Sequence, residues 1–183
     1  MQASVKKDKF TLANDFVLKI ETFLMALITI GLVAVITVEV VCRYVFFVST
    51  AWAEEISRYL FIWLTYIGSA YALNEGGHIE IDVFKQVIQK GKLFEKHRES
   101  WLKGLEVASL TSTSIFLIIF GKIFYDFMMK FWGTSQTTPT MHIPIGYIYL
   151  PVLISTFMAL MHCIYLLYKI FKRNDSQTNG EGE

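Results

Sequence analysis

The sequence has few prolines, few cysteines and little net charge, and each shortage excludes a class of protein. Three prolines and eleven glycines in 183 residues are too few for a disordered, low-complexity chain. Cys42 and Cys163 lie far apart, within or beside apolar runs, which is neither a disulfide framework nor a metal-ligand spacing. A net charge of +1 gives no reason to expect a nucleic-acid partner. We therefore interpret both cysteines as small buried side chains and expect no nucleic acid to bind.

Sequence motifs of enzymes and cofactor-binding proteins are also missing. The chain has no Gly-x-Ser-x-Gly, no His-Glu-x-x-His and no phosphate-binding loop. Haem held between helices needs axial ligands on facing helices at matching depth, and His162 is the only histidine well inside an apolar run. We expect His162 to make a polar contact inside a helix bundle. We predict no catalytic residue, no metal and no cofactor.

Long apolar runs are what the chain has in excess. Hydrophobic residues make up 54% of it, and four stretches reach the length of about 20 residues that a membrane-spanning helix needs. We predict an all-α integral membrane protein with one membrane domain, residues 1–173, and a disordered polar tail, residues 174–183. The four transmembrane helices are predicted at about 21–46, 53–73, 105–131 and 145–171. The first has no clear cleavage site and is interpreted as an uncleaved span.

The distribution of basic residues predicts how the chain is oriented. Thirteen of the 17 lysines and arginines lie in the N-terminal tail, in the loop between the second and third spans, or at the C-terminal end. By the positive-inside rule, both termini and this loop are cytoplasmic, in what we expect to be a bacterial inner membrane. Within the loop, residues 81–90 have the spacing of a short amphipathic helix on the membrane surface, with an ordinary solvated loop as the alternative. Its apolar face comprises Val83, Phe84, Val87 and Ile88.

Ionisable residues cluster around the turn between the first two spans. Charged groups in or near a span are costly, so they are functional candidates by default. Glu39 and Arg43 are one helical turn apart, and so are Glu54 and Arg58, so each can form an ion pair. Thr50 is the expected N-cap of the second helix. Because Glu39 lies near the end of its helix beside Arg43, it is a poor candidate for a proton carrier.

The face of the second helix below Arg58 continues as a stripe with several small side chains. Small residues let another helix approach closely in the membrane, where no hydrophobic effect drives helices together. We therefore predict a packing seam, facing either the bundle or a partner protein. The residues of this predicted interface are Arg43, Trp52, Glu54, Glu55, Arg58, Phe61, Thr65, Gly68 and Ala72.

The same residues leave a second function open. An autonomous small transporter or channel needs polar side chains facing a pore at mid-depth. The candidates for that role are His162 and the hydroxyl-rich stretch of the third span, from Ser109 to Ser114. Those hydroxyls can instead bond to their own helix or to a neighbouring one.

The stretch from Arg43 to Phe84 resembles the small membrane subunit of tripartite ATP-independent periplasmic (TRAP) transporters. The residues that carry the resemblance are Arg43-Tyr44-Val45-Phe46, Trp52, Glu54, Glu55, Arg58, Tyr59, Trp63, Gly68-Ser69-Ala70, Gly77-His78-Ile79 and Asp82. The later residues Pro144, Tyr149 and Pro151 fit the entry to the last span of that family. The resemblance covers nearly the whole chain.

The resemblance implies a specific role for each protein of the transporter. A soluble periplasmic protein captures an organic acid, commonly a sialic acid or a C4-dicarboxylate, and a large membrane subunit carries it inward with sodium ions. The small subunit binds the large one as a heterodimer and supports its stationary scaffold. The expected partners are therefore the large membrane subunit, the periplasmic binding protein in transient contact, and membrane lipids.

Overall fold

The computed structural model describes residues 9–74 and 98–178, with side chains in 10–74 and 103–172. This part of the chain folds into four helices. They are α1 (Lys9–Tyr44), α2 (Ala51–Asn74), α3 (Arg98–Trp132) and α4 (Ile145–Thr178). The predicted amphipathic helix at 81–90, with Val83, Phe84, Val87 and Ile88, lies outside the described residues.

Three of these helices are long and apolar enough to cross a membrane: Phe10–Tyr44, Lys103–Trp132 and Ile145–Lys172. They include the third and fourth predicted spans completely and the first predicted span as far as Tyr44. Helix α2 does not join them, because Glu54, Glu55 and Arg58 occupy its first two turns. What remains of α2 after Arg58 is shorter than the roughly 20 residues of a typical span.

Both end helices are longer than the spans predicted for them. Helix α1 begins at Lys9 instead of near residue 21, and its added turns pack on α4, where the Phe10 ring lies 5.5 Å from the Tyr168 ring. Helix α4 continues to Thr178, so residues 174–178 are helical where the sequence predicted a disordered tail. Hydropathy marks the apolar part of a helix, whereas backbone hydrogen bonding continues beyond it as long as the flanking residues favour a helix.

Helix α1 ends in a turn that contains a left-handed residue. The amide of Val48 donates to the carbonyl of Cys42 at 3.0 Å, and Phe47 has a positive φ of 55°. This left-handed position is usually glycine, because a Cβ there crowds the following carbonyl. The turn reverses the chain and sets α2 antiparallel to α1.

Helix α4 lies at the centre of the described structure. It packs against α3, α2 and, more sparsely, α1, while α2 packs against α1 and α4. The order across the molecule is therefore α1, α2, α4, α3. In the most apolar stretch of α4, 33% of the residues are buried within the chain, compared with 6% for each of α1 and α3. Few residues in these stretches of the two outer helices are fully covered by the chain itself, and large apolar side chains on both are exposed.

The inner helices approach their neighbours through small residues. Ala53 and Ala70 of α2 are fully buried. A Cβ added at Gly31 of α1 would lie 3.9 Å from Leu60, and one added at Gly68 would lie 3.8 Å from Met25. These are ordinary van der Waals distances, so α1 and α2 pack closely without overlap.

Helices α3 and α4 share a cluster of aromatic rings and an aliphatic core. Tyr149 lies 5.7 Å from Phe124 and 5.4 Å from Phe127, both in edge-to-face geometry. Towards the other end, Cys163 is fully buried beside Leu110, as the sequence predicted for a small apolar side chain. Both cysteines are free, but Cys42 is only partly buried, so the expectation of a buried side chain holds for Cys163 alone.

Candidate partner-binding surface

The α2 stripe predicted from the sequence lies on the surface of this chain. Its exposed members are Glu54, Arg58, Phe61, Thr65 and Ala72. Gly68 is partly buried because it faces Met25 of α1. The opposite side of α2 buries Ala53, Ile67 and Ala70 against the rest of the chain. The stripe is therefore available to another protein, and its role as an interface stays a prediction.

Two predicted ion pairs are confirmed. Arg43 Nη2 lies 2.7 Å from Glu39 Oε1 at the end of α1, and Arg58 Nη2 lies 3.0 Å from Glu54 Oε1 at the start of α2. The Arg58 and Glu54 side chains are 67% and 63% exposed. Exposed pairs of this spacing contribute about 0.3–0.5 kcal/mol. They therefore mark a charged surface more than they stabilise the fold.

Glu55, which the sequence grouped with Glu54, points into the chain instead. It is 8% exposed, and its Oε2 accepts a hydrogen bond from the backbone amide of Thr140 at 2.8 Å. The hydroxyl of Tyr59 donates to its other oxygen at 3.3 Å. Glu55 therefore connects α2 to the loop between α3 and α4 and does not belong to the exposed part of the predicted interface.

The loop that Glu55 holds is tightly hydrogen-bonded. The amide of Thr138 donates to the carbonyl of Ile143 at 2.9 Å, and the amide of Ile143 donates to the Thr138 hydroxyl at 3.2 Å. His142 has a positive φ of 56°, which closes the turn between these bonds. The loop is thus a compact cap at the end of the molecule where α2 begins.

Thr50 occupies the predicted capping position, but its side chain does not form the cap. Its carbonyl accepts from the amides of Ala53 at 3.0 Å and Glu54 at 3.4 Å, which begins the helix. The Thr50 hydroxyl is buried and has no hydrogen-bond partner. Other residues of the predicted interface flank this start: Trp52 is 41% exposed, and the Arg43 side chain is 52% exposed.

Trp63 makes a second link between α2 and α4. Its indole Nε1 donates to the carbonyl of Ile148 at 2.8 Å. A buried indole N–H usually needs such an acceptor, and a net contribution of about 0.5–1.5 kcal/mol is typical. Together with Glu55, this bond fixes the register of α2 against the start of α4. The sequence singled out Trp63 through the family motif and gave no sign of its acceptor.

A buried polar cluster near the other end of the molecule was not predicted. His162 Nε2 lies 3.1 Å from Glu21 Oε2, and His162 Nδ1 lies 2.7 Å from Asn14 Oδ1. The Asn14 amide in turn donates to Asn74 Oδ1 at 3.1 Å. The expected polar contact of His162 is therefore confirmed, and its partners are new. Asn14 and Glu21 are seven residues apart, which puts them on one helix face, and this spacing was the available signal.

The described residues bear on two further kinds of ligand site, one formed by the hydroxyl groups of α3 and one by groups that could bind a metal ion. Thr111 and Ser114 of α3 donate to their own helix, to the carbonyls of Val107 and Leu110. No group of three or more His, Cys, Asp or Glu side chains in the described part of the chain could hold a metal ion. A groove of about 490 Å³ between α3 and α4 is lined by apolar residues and Thr156.

The described structure is that of a helical, multi-pass membrane protein. Three apolar helices of spanning length, outer helices with outward-facing apolar side chains and a capped turn at one end define this class. Residues 32–173 match the family model described as "Tripartite ATP-independent periplasmic transporters, DctQ component". The match covers most of the 183 residues, and the chain belongs to this family. The family is a transporter permease component, which is not an enzyme class.

Three named relatives are similar to parts of the chain. The sialic acid TRAP transporter small permease protein SiaQ of Vibrio cholerae is 30% identical over 100 residues, 55% of each chain. The C4-dicarboxylate TRAP transporter small permease protein DctQ of Rhodobacter capsulatus is 28% identical over 105 residues, 57% of this chain and 42% of that protein. A putative TRAP transporter small permease protein of Haemophilus influenzae is 49% identical over 45 residues, 25% of this chain and 28% of that protein. The chain thus spans about half the length of the first two relatives.

Proposed function

We propose that this chain is the non-catalytic small membrane subunit of a sodium-coupled TRAP transporter that imports an organic acid. It binds the large membrane subunit and widens the fixed scaffold against which the moving part of that subunit works. The observation that carries this proposal is the outward apolar surface: only 6% of the residues in the most apolar stretches of α1 and α3 are buried within the chain. Lipid tails or the helices of another protein can cover such a surface, and the match of residues 32–173 to the DctQ-component family favours a protein partner.

The partner is expected to contact the α2 stripe and the charged turn at its upper end. Arg58 and Glu54 already neutralise each other there, so a partner can cover them without burying a lone charge. Phe61 is 61% exposed directly below and offers an apolar anchor. The interface would thus combine a rim formed by the Arg58–Glu54 ion pair with a centre of apolar and small residues. A polar rim around an apolar centre is a common arrangement of protein interfaces.

Four membrane crossings are part of the proposal. Helix α2 packs on α1 and α4, which are both of spanning length, and the Trp63 bond ties it to α4. The first turns of α2, with the Arg58–Glu54 ion pair, then lie at the external interface. The compact cap between α3 and α4 lies at the same interface. With both termini cytoplasmic, the basic segments of the chain lie on the inner side of the bacterial inner membrane.

The substrate class is proposed from the relatives. The two longer matches are named as components of sialic acid and C4-dicarboxylate transporters. Both substrates are organic anions, and selection between them falls to the periplasmic binding protein and the large subunit. The expected partners of this chain are therefore the large subunit, the binding protein in transient contact, and lipids.

The autonomous transporter or channel is the weaker alternative. Thr111 and Ser114 of α3 donate to carbonyls of their own helix, and the groove between α3 and α4 is lined almost entirely by apolar residues. A conducting path needs polar groups or water along its length, because an ion in a low-dielectric medium without partners is very costly.

Affinity purification from gently solubilised membranes tests the proposal. The tagged chain should carry a much larger polytopic protein in equal amount, identified by mass spectrometry. Proteoliposomes with both proteins, a sodium gradient and loaded binding protein should then accumulate sialic acid or succinate, and proteoliposomes with this chain alone should accumulate neither. Purification of the chain by itself, or uptake by the chain alone, would contradict the proposal.

A further inference from the structure

The buried polar cluster joins three helices. Asn14 and Glu21 come from α1, Asn74 from the last residue of α2, and His162 from α4. Glu21 and His162 are both fully buried, and Asn14 is 8% exposed. Glu21 and His162 are 141 residues apart along the chain, so only the tertiary fold brings the carboxylate and the imidazole together.

The hydrogen bonds of this cluster determine how many protons it holds. Asn14 donates its amide N–H to Asn74 Oδ1, so its own oxygen faces His162 Nδ1 at 2.7 Å. An amide oxygen is an acceptor only, so Nδ1 must carry a hydrogen. The other ring nitrogen, Nε2, faces both oxygens of Glu21 at 3.1 and 3.2 Å. A neutral imidazole with hydrogen on Nδ1 has only a lone pair at Nε2, and a lone pair cannot face a carboxylate without a hydrogen between them.

We propose that Glu21 and His162 form a binding site for one proton, which sits between His162 Nε2 and the Glu21 carboxylate. The proton can reside on the ring, as an imidazolium beside a carboxylate, or on the carboxyl group beside a neutral ring. The two forms have the same number of protons and the same net charge of zero. No such site is needed for the scaffold role, so the inference goes beyond the proposed function.

Burial supports the protonated state over the alternative. If the amides of Asn14 and Asn74 were both turned over, Nδ1 could accept from Asn14 and Nε2 could donate to an ionised Glu21. The cluster would then hold one proton less and carry one negative charge, and none of the hydrogen-bond partners given for it in the described part of the chain is a lysine or arginine. A buried charge without a counter-charge is strongly disfavoured. The orientation with one more proton leaves the cluster neutral, with both ring nitrogens satisfied.

The bound proton also has a mechanical consequence. The contact between α1 and α4 is sparser than the contacts of α1 with α2 and of α4 with α3, and this cluster lies in it. The Phe10 ring packs against Tyr165 and Tyr168 beside it, and a cavity of about 30 Å³ next to the cluster is lined by Asn14, His162 and Tyr165, among others. The protonated pair therefore links the N-terminal part of α1 to the middle of α4, and Asn74 connects the end of α2 to the same cluster.

The test counts protons directly on the full chain in lipid nanodiscs, together with its large subunit if the two copurify. Histidine labelled with ¹⁵N reports by NMR whether each ring nitrogen carries hydrogen, and infrared spectroscopy reports whether Glu21 is a carboxylic acid or a carboxylate. The signals are assigned by their loss in His162→Gln and Glu21→Gln. Glu21→Gln doubles as a folding control, because a glutamine amide can donate to Nε2 of a neutral ring.

Two results support the site and two overturn it. Either an imidazolium with an ionised Glu21, or a neutral ring with hydrogen on Nδ1 and a protonated Glu21, is the expected result. A neutral ring with an ionised Glu21, one proton fewer, overturns the proposal. So does a His162 signal that titrates with buffer pH in the manner of a solvent-exposed histidine. If His162→Gln fails to fold, the His162 signal is assigned instead as the one that shifts in Glu21→Gln, and the parent spectra still separate these outcomes.

Discussion

The carboxylate of Glu55 in α2 accepts the backbone amide of Thr140 at 2.8 Å, across 85 residues of sequence. A single side chain therefore holds the cap between α3 and α4 against the start of α2. Its neighbour Glu54 points outward and pairs with Arg58. Two adjacent glutamates thus have different surroundings, one within the fold and one on the exposed surface.

Removing the Glu55 carboxylate should loosen this cap. Glu55→Ala leaves the Thr140 amide without its acceptor, so we expect faster amide exchange in residues 134–144 and a lower melting temperature in detergent. Glu55→Gln keeps one acceptor oxygen, so its amide exchange rates and melting temperature should lie between those of Glu55→Ala and those of the parent. The matched control is Glu54→Ala, which removes an exposed pair and should cost about 0.3–0.5 kcal/mol or less. Equal effects of Glu54→Ala and Glu55→Ala would contradict the assignment.

Trp63→Phe should destabilise the chain by about 0.5–1.5 kcal/mol through the lost hydrogen bond alone. The phenyl ring keeps much of the packing but cannot donate to Ile148, whose carbonyl now accepts the indole at 2.8 Å. Chemical unfolding in mixed micelles measures the change. Trp52→Phe, at a position that is 41% exposed, serves as the control and should change the unfolding free energy less. A Trp63→Phe protein as stable as the parent would mean that the bond contributes nothing.

Gly146→Ala should displace the Trp132 ring. A Cβ at this position would lie 2.8 Å from Trp132 Cε3, closer than real contacts allow, while one at Gly133 would meet nothing within 4 Å. Because the ring is 49% exposed and can move, we expect a modest loss of about 1 kcal/mol and a shifted tryptophan fluorescence maximum. Gly133→Ala should leave both unchanged. Unaltered fluorescence in Gly146→Ala would show that the two residues are farther apart in the membrane.

Substitutions in the α2 stripe test the proposed interface with the large subunit. Phe61→Ala and Arg58→Ala should each reduce copurification of that subunit several-fold, because both side chains are exposed in this chain and available to a partner. Gly68→Leu should do so as well, but it also crowds Met25 of α1. Gly68→Ala fits the observed space and is the control. If Phe61→Ala and Arg58→Ala assemble and support full uptake, the partner binds elsewhere.

The proposed topology predicts the sides from which cysteines can be labelled. In a background without Cys42 and Cys163, Ser49→Cys and Ser135→Cys should react with a membrane-impermeant maleimide added outside intact spheroplasts. Ser176→Cys should react only after the membrane is opened. Labelling of Ser49→Cys and Ser135→Cys from opposite sides would show that α2 does not cross the membrane with its neighbours.

Much of the architecture follows from local sequence. The predicted spans at 21–46, 105–131 and 145–171 each lie on an apolar helix of spanning length, although α1 ends at Tyr44, because hydrophobic run length is a property of consecutive residues. The pairs Glu39–Arg43 and Glu54–Arg58 were predictable for the same reason, since helical residues four apart share a face in any fold. The family motif between Arg43 and Phe84 belongs to this local information too.

Other features depended on how the helices pack. Glu54 and Glu55 are equivalent in a sequence, and only the placement of the loop between α3 and α4 makes Glu55 an internal acceptor. The sequence likewise shows Glu21 at the edge of one apolar run and His162 inside another, with nothing to join them. Whether two faces meet depends on the rotation and register of whole helices, set by many weak contacts summed over their length. Amino-acid order by itself thus determined the membrane helices and their surface ion pairs, and the tertiary structure alone decided which polar groups were buried and paired.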